Sequence, residues 1–279
     1  MDKKIHVHSP RGDFRVIKEK YVPEIESSLR KKAVLVPKPI YNASGIRVQG
    51  TRIKSFVFST DIAIIKNCNA QAVMAVYPFT PQLSIIQAII QASSIPVFAG
   101  VGGGTTTGPR SINIALQAEL LGAFGVVVNA PMKNDVIAEM YKALDIPIVA
   151  TIASENDDVV GKINAGARIL NISGGKNTPE LIKKVRSLIG PEFPIIGTGG
   201  PTDEMIQTTI DSGANSITFT PPSNAELFTD MMQHYREIHQ EEENPNRRED
   251  LHIDDFQQDL VFSDDAIEYI DEVEDLNSK

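Results

Sequence analysis

The fold of this chain is best indicated by the stretch Phe193-Pro194-Ile195-Ile196-Gly197-Thr198-Gly199-Gly200, which is followed by Pro201-Thr202-Asp203-Glu204. A run rich in β-branched residues ends in a glycine turn, and a helical pattern begins directly after it. A buried strand that runs into such a turn and a helix start leaves several backbone N–H groups unpaired. This arrangement suits a phosphate, and the same strand–turn–helix unit repeats along the chain.

Eight strand-like runs lie between residues 55 and 219. They cover residues 56–58, 73–77, 96–99, 126–128, 147–150, 168–172, 194–196 and 216–219. The runs are apolar without strict alternation, which is typical of parallel strands that are buried on both faces.

Helical patterns separate these runs, at residues 83–93, 111–121, 135–144, 156–166, 179–188 and 203–212. Three of them stop at Gly122, Gly166 and Gly213, and a glycine just past a helix end supplies the left-handed position there. The repeat of about 22–25 residues predicts a (β/α)8 TIM barrel of the α/β class. A doubly wound open sheet is the competing architecture, but the chain has no dinucleotide-binding fingerprint.

The chain divides into three predicted regions. Residues 1–54 form an N-terminal extension that we expect to pack on the barrel, with extra strands at 34–39 and 46–48. Residues 55–240 form the barrel. Residues 241–279 form a tail with 15 acidic and 3 basic residues, which leaves the rest of the chain near +3 of the net −9. We expect this tail to be flexible, although its scattered aliphatic and aromatic residues also fit docking on a partner.

Composition excludes several functions. No apolar run reaches the roughly 20 residues of a membrane span, and we see no secretory signal, so a cytoplasmic location is expected. The near-neutral body lacks a basic stripe with aromatics, which argues against nucleic-acid binding. Cys68 is alone and the histidines fall outside the predicted rim, so no metal site or other cofactor is expected, and a divalent cation has no evident ligand set. The histidines are His6, His8, His234, His239 and His252.

Glycine-rich loops follow three predicted strands, and the carboxyl ends of barrel strands carry the functional site. The loop with Gly102, Gly103 and Gly104 is long, and we expect it to be flexible and to close over a ligand. The expected phosphate-binding residues come from the sixth, seventh and eighth units. They are Gly174, Gly175, Gly197, Thr198, Gly199, Gly200, Ser223 and Asn224.

Polar and charged residues at the same rim are candidates for catalysis. Asp61 directly follows the first strand, which fits a general base, although an N-cap of the next helix explains it equally well. Lys133 and Lys176 are expected to hold a phosphate or polarise a carbonyl, with solvated loop lysines as the alternative. Asn129 and Asn171 would orient substrate oxygens.

The stretch from Ile195 to Pro221, with Gly197-Thr198-Gly199-Gly200 and Asp211-Ser212-Gly213-Ala214, is similar to the aldolase-type barrels. The closest likenesses are 2-keto-3-deoxy-6-phosphogluconate aldolase and the ribulose-phosphate-binding barrels, over about residues 145–225. The resemblance implies a sugar or keto-acid phosphate at the loops after the seventh and eighth strands. Two features depart from it: residues 169–173 lack the lysine of the Schiff-base aldolases, and 220–223 lack a glycine.

We therefore expect an enzyme that acts on a small phosphorylated sugar or keto acid. The reaction would be proton abstraction beside a carbonyl, as in a lyase, aldolase, isomerase or epimerase. Two alternatives remain open. The barrel could be a metabolite sensor or scaffold whose acidic tail contacts a protein partner, or it could be a hydrolase. A homo-oligomer is compatible with all three.

Overall fold

The computed structural model describes residues 5–7, 15–17 and 33–242, with the side chains of residues 33–236. The chain divides into two compact units, Met1–Lys31 and Lys32–Lys279. In the first unit, β1 (Ile5–Val7) and β2 (Arg15–Ile17) pair antiparallel. In the second unit, β3 (Ile46–Val48) and β4 (Thr51–Ile53) form an antiparallel hairpin.

Eight further strands, all parallel, close into a barrel in chain order, which confirms the predicted TIM barrel. They are β5 (Ser55–Phe58), β6 (Ala72–Ala75), β7 (Val97–Gly102), β8 (Gly125–Val128), β9 (Ile148–Ile152), β10 (Ile169–Ile172), β11 (Ile195–Thr198) and β12 (Ser216–Phe219). Strand β12 pairs with β5 and completes the ring. Strand β7 runs further than predicted, because its register against β8 shifts between Gly100 and Gly102.

Helices follow the barrel strands. They are α1 (Ile62–Lys66), α2 (Leu83–Ala92), α3 (Pro109–Leu120), α4 (Asn134–Ala143), α5 (Val159–Asn164), α6 (Thr178–Ile189), α7 (Asp203–Asp211) and α8 (Asn224–Glu242). Gly166 and Gly213 have φ of +115° and +110°, so they end α5 and α7 in the left-handed region as expected. Helix α5 is shorter than predicted, because Asp158 caps it and accepts a hydrogen bond from the Gly161 N–H at 2.8 Å.

The hairpin β3–β4 covers the N-terminal end of the barrel. Ile46, Val48 and Ile53 are buried in one cluster with inward residues of the barrel strands, among them Phe56 and Phe98. The rings of Phe56 and Phe98 meet edge to face, with centroids 5.1 Å apart. Residues 46–53 therefore close this end, while the packing of residues 1–32 on the barrel stays a prediction.

The expected strand at residues 34–39 is wrong. Val34 makes a single parallel bridge with Cys68, and Lys38–Asn42 forms a 3-10 helix. Pro37 and Pro39 have no backbone N–H to donate to a ladder, and they favour the start of a helical turn instead. The patterned apolar residues are still buried, but they pack without a sheet.

Alternation along the strands fixes which side chains reach the barrel axis. The innermost cluster contains Phe56, Met74, Phe98, Val127, Val149, Ile169 and Ile196, one from each of seven strands. Two residues further along, the same faces present Phe58, Val76, Gly100, Asn129, Thr151, Asn171 and Thr198. The layer at the carboxyl ends is therefore apolar or glycine on β5 to β7 and polar on β8 to β11.

Arg186 ties the start of the decisive stretch to its neighbours. Its guanidinium donates to the carbonyl oxygens of Gly190, Phe193 and Gly213 and to Asn215 Oδ1, at 2.7–3.0 Å. Burial lowers the pKa of Arg186 from its ordinary value. The side chain joins the end of α6 to the entries of β11 and β12, a long-range contact that no local pattern indicates.

Candidate functional site

A cavity of about 230 Å³ opens at the carboxyl ends of β6, β7 and β8. Its polar wall comes from Tyr77, the loop after β7 and the residue that follows β8. The polar and glycine residues that line it include Tyr77, Gly100, Gly104, Thr105, Thr106 and Asn129. None of the described residues that line the cavity carries a charged side chain.

The loop after β7 is held against β8 and is not the freely moving segment that the sequence suggested. The Gly103 N–H donates to Thr106 O, and the Asn129 N–H donates to Gly102 O, both at 2.9 Å. A Cβ on Gly103 would lie 2.5 Å from Asn129 N, and its φ of +119° suits only glycine. Gly104 differs, because it faces open space at the cavity wall. Closure over a ligand therefore stays a prediction for the tip around Gly104.

Asn129, Thr151 and Asn171 form a polar row across three neighbouring strands. Thr151 is in register with Asn171, and Val128, next to Asn129, is in register with Ala150. Asn171 Nδ2 donates to Thr151 Oγ1 at 3.3 Å. Asn129 is also part of the cavity wall, so the row connects the cavity with the polar side of the barrel axis.

Lys162 supports this wall from outside the barrel. It is 3% exposed, and its Nζ donates to Ala130 O and Met132 O, both at 2.9 Å. Burial lowers the pKa of Lys162, and the nearby Asp157 and Asp158 partly oppose that shift. No role was predicted for Lys162 from the sequence, although its three-residue spacing from the buried Val159 places it on the inner face of α5.

Asp61 takes part in capping. Its Oδ1 accepts from the N–H groups of Ala63 at 2.8 Å and Ile64 at 3.3 Å, at the start of α1. Its Oδ2 accepts from Asn224 Nδ2 at 2.6 Å. The N-cap alternative accounts for Oδ1, and the hydrogen bond from Asn224 engages Oδ2. The general-base role of Asp61 stays a prediction.

Lys133 and Lys176 are both exposed at the rim. Lys133 precedes α4 and Lys176 lies in a 3-10 turn before α6, and neither is among the residues that line the cavity. Gly174 and Gly175 belong to the same turn, where the Gly174 N–H donates to Thr178 Oγ1 at 3.0 Å and Thr178 Oγ1 donates to Gly175 O. The turn thus has a local structural explanation, and its predicted phosphate role is untested.

The glycine turn after β11 is packed closely. A Cβ on Gly197 would lie 2.6 Å from Thr209 Cγ2, and one on Gly199 would lie 3.0 Å from Ile217 Cγ2. The Gly199 N–H already donates to Thr218 O at 2.9 Å. These glycines allow α7 to approach the sheet, so the feature that suggested a phosphate cradle has a packing explanation.

Acidic side chains occupy the helix starts beside this turn. The N–H and hydroxyl of Ser223 both donate to Glu226 Oε2 at 2.7 Å, which forms a capping box at the start of α8. These hydrogen bonds, the backbone one first, lower the pKa of Glu226. At α7, Thr202 Oγ1 accepts from the Met205 N–H at 3.3 Å, and Asp203 and Glu204 lie in the first turn. Negative charge is therefore already present where an anion was expected.

The helices beside the cavity begin differently. Neither α2, preceded by Gln82, nor α3, preceded by Gly108, has a side-chain cap, and neither has an acidic residue in its first turn. Arg110 is in the first turn of α3. The positive ends of these two helix dipoles are therefore uncompensated at the β6–β7 side of the mouth.

Two kinds of feature are absent from the residues that the structure describes. In that part of the chain, no three His, Cys, Asp or Glu side chains converge as a metal site would require. No helix there combines the length and apolar character needed to cross a bilayer. The side chains of His6, His8, His239 and His252, like the predicted tail from residue 243 onward, lie outside the described residues.

Neither a protein-family model nor a curated protein matches the sequence. Solved structures do match the fold. A Burkholderia cenocepacia protein described as a phosphonomutase is 15% identical, with a TM-score of 0.51 over 73% of this chain and 98% of its own. Phosphonopyruvate hydrolase, in complex with oxalate and Mg²⁺, is 14% identical, with a TM-score of 0.50 over 80% and 96%.

A third structure, phosphoenolpyruvate phosphomutase from Streptomyces platensis subsp. rosaceus, is 12% identical, with a TM-score of 0.50 over 79% of this chain and 92% of its own. Such identities show a common fold alone. The names of these neighbours refer to a phosphonomutase, a hydrolase and a phosphomutase, and not to the aldolase group that the sequence resembled. The barrel expectation is confirmed, and the particular aldolase group is not supported.

Proposed function

We propose that this protein is an enzyme that binds a small anionic metabolite, a keto acid or a phosphorylated sugar or acid, in the cavity at β6 to β8. The single observation that carries the proposal is the cavity of about 230 Å³ at the carboxyl ends of the strands. A water molecule occupies about 30 Å³ of liquid, so the space equals about eight waters. That size suits a short-chain acid and is below the range of most drug-sized ligands.

Electrostatics favour an anion on this side of the mouth. The uncapped starts of α2 and α3 present unpaired N–H groups, and Arg110 adds a positive charge nearby. The carboxylates of Glu226 and Asp61 would repel an anion on the opposite side. We therefore place the anionic group of the ligand by α2 and α3, and treat the site at Gly197–Gly200 as the competing location.

The three structural neighbours support the substrate class as an analogy. Their names refer to a phosphonomutase, phosphonopyruvate hydrolase and phosphoenolpyruvate phosphomutase, whose substrates are small acids that carry phosphorus. One neighbour is named as a magnesium complex. The described residues of this chain offer no converging set of acidic or histidine ligands, so no step is assigned to a metal here.

The chemistry that the lining suits best is stabilisation of a developing oxyanion beside a carbonyl. Tyr77 accepts from the Gln82 N–H at 2.8 Å, which leaves its own O–H available to donate. Asn129, whose side chain is an amide, also lines the cavity. Donors aimed at a developing negative charge lower the barrier to proton abstraction. The base itself, whether Asp61, Lys133 or Lys176, is a prediction that requires separate testing.

A metabolite sensor is the second candidate, and one observation favours it. The cavity wall carries no charged side chain that would act as a base or nucleophile. In that case the barrel would bind its ligand unchanged, and the acidic tail would contact a protein partner. An exchange experiment in D₂O separates the two functions. An enzyme that abstracts a proton incorporates deuterium beside the carbonyl of a bound ligand, which NMR detects, and a sensor does not.

Binding is tested by thermal shift with sugar phosphates, keto acids and hydroxy acids on the full chain, because a ligand that binds the folded state raises Tm. The decisive variants add one carboxylate to either side of the mouth. Gly104→Asp enters open space beside the cavity, and Thr220→Asp is exposed after β12. We expect Gly104→Asp to weaken anion binding at least tenfold and Thr220→Asp to weaken it little.

If Thr220→Asp weakens binding more than Gly104→Asp does, the ligand binds at the glycine turn after β11 instead. Failure of every compound to shift the wild-type protein would refute the proposed function. Gly199→Asp is unsuitable for this test, because a side chain there would press on Ile206 and Ile217 and disturb the packing of α7.

A further inference from the structure

The polar row Asn129–Thr151–Asn171 contains one hydrogen-bonding atom that the protein does not satisfy. Asn171 is 6% exposed, on β10 facing the barrel axis. Its Nδ2 donates to Thr151, but Asn171 Oδ1 is buried with no donor among the residues that the structure describes. Buried polar atoms in native proteins nearly always have a partner, so this exception needs an explanation.

The position of Asn171 points to a ligand as that partner. Adjacent strands are about 4.8 Å apart, so two strand spacings, roughly 10 Å, separate the backbone of Asn171 from that of Asn129 in the cavity wall. Thr151 lies between them and is half-buried. Asn129 is the member of the row that lines the cavity, so a ligand must extend from it past Thr151 to meet Asn171.

The chemistry of the unpaired atom restricts the group that meets it. Asn171 Oδ1 is an acceptor, so its partner must carry a hydrogen. Carboxylate, phosphate and keto oxygens accept only, and they would face the amide oxygen unfavourably. A hydroxyl group donates a hydrogen bond and remains compatible with the neighbouring threonines, because it also accepts from them.

We propose that Asn171 Oδ1 accepts a hydrogen bond from a hydroxyl group of the ligand, so that the barrel mouth selects a hydroxy acid over the corresponding keto acid. The anionic group of that ligand would lie by α2 and α3, and the hydroxyl would point toward β10. The inference rests on the proposed function, since it specifies which substrate form the same site prefers.

Matched ligand pairs test the inference by calorimetry on the full chain. 3-Phosphoglycerate and 3-phosphohydroxypyruvate differ in one hydroxyl and one keto group, and malate and oxaloacetate, which carry a second and more distant carboxylate, form the unphosphorylated pair. We expect the hydroxy member to bind about tenfold more tightly, as one hydrogen bond to an otherwise unpaired acceptor allows. In Asn171→Leu, this preference should fall to about unity.

Asn171→Leu should fold, because an apolar side chain of similar size removes a buried acceptor that has no partner together with the long 3.3 Å hydrogen bond to Thr151, and its Tm should change little. Asn42→Leu is the matched control. Asn42 bonds Gln207 at an exposed position in the N-terminal segment, and its replacement should leave the hydroxyl preference intact.

Each outcome bears on a separate claim. Equal affinity within a pair, tighter binding of the keto member, or an undiminished preference in Asn171→Leu would overturn the hydroxyl inference while the proposed function stands. If neither member of either pair binds, and the wider thermal-shift panel is also silent, the proposed function fails and the inference fails with it.

Discussion

Helices α7 and α8, at the β11–β12 side of the mouth, begin with caps and acidic side chains, whereas α2 and α3, at the β6–β7 side, begin with neither. Both sides carry glycine-rich loops, so the two look alike in sequence. Glycine therefore marks a turn on either side, whereas the capping and charge of the helix N-termini indicate where an anion can be held.

The glycines themselves differ between the two sides. Gly197 and Gly199 are glycines because side chains of α7 and β12 occupy the space beside them. Gly103 is glycine because the backbone of Asn129 lies against it, and Gly104 faces the cavity. One side uses glycine to pack a helix on the barrel, and the other uses it to shape a cavity wall.

Gly103→Ala should have the largest effect on stability. The new Cβ would lie 2.5 Å from Asn129 N at a φ of +119°. Backbone strain and overpacking together cost about 3 kcal/mol. Urea denaturation measures this loss of stability. Gly104→Ala is the control, because its Cβ enters open space and should lower the free energy of unfolding by less than about 0.5 kcal/mol. Equal losses in the two variants would contradict the close contact with β8.

Lys162→Met should destabilise the cavity side by about 2 kcal/mol, because it leaves the buried carbonyls of Ala130 and Met132 without their donor. Both carbonyls lie in the segment directly after the cavity residue Asn129, so ligand affinity should fall as well. Urea denaturation and calorimetry measure the two effects. An unchanged stability would mean that Lys162 does not hold this loop.

The same variant tests the pKa of Lys162. Burial lowers the folded-state pKa below the ordinary 10.5, so between these two values the unfolded chain binds more protons. The stability of the wild type relative to Lys162→Met should therefore rise with pH through that window. Unfolding at about pH 7 and about pH 9.5 compares the two proteins. If the difference in free energy of unfolding between the wild type and Lys162→Met decreases toward alkaline pH, the lowered pKa of Lys162 is contradicted.

Ser223→Ala should have the smallest effect and should leave ligand affinity unchanged. Loss of an N-terminal serine cap costs about 1 kcal/mol. The Ser223 hydroxyl also helps to lower the pKa of Glu226 below its ordinary 4.5. The extra free energy of unfolding of the wild type over Ser223→Ala should thus be fully present above about pH 4.5, and it should decrease as pH falls through the lowered pKa of Glu226. Reduced ligand affinity in Ser223→Ala would shift the site toward β12.

The repeat of strand-like and helical runs predicted every barrel strand, because strands buried on both faces leave continuous apolar runs that need no partner to be recognised. Helix ends at Gly166 and Gly213 were equally visible. Helix α1 was expected only as the helix that Asp61 would cap, and its bounds were not predicted, since its five residues are too few to show a period. Asn129 and Asn171 lie at the strand ends where the sequence placed them, and their roles stay predictions, whereas Lys162 was not predicted.

The (β/α)8 architecture and the rim at which a ligand would lie follow from local periodicity and chain order, so both could be predicted from the sequence. Which side of that rim is open depends on the tertiary structure. The packing beside Gly197, the carboxylates at α8 and the unpaired Asn171 Oδ1 arise from residues far apart in the chain. Long-range contacts of this kind have no local signature, so glycine turns that look alike in sequence serve packing at β11 and a cavity at β7.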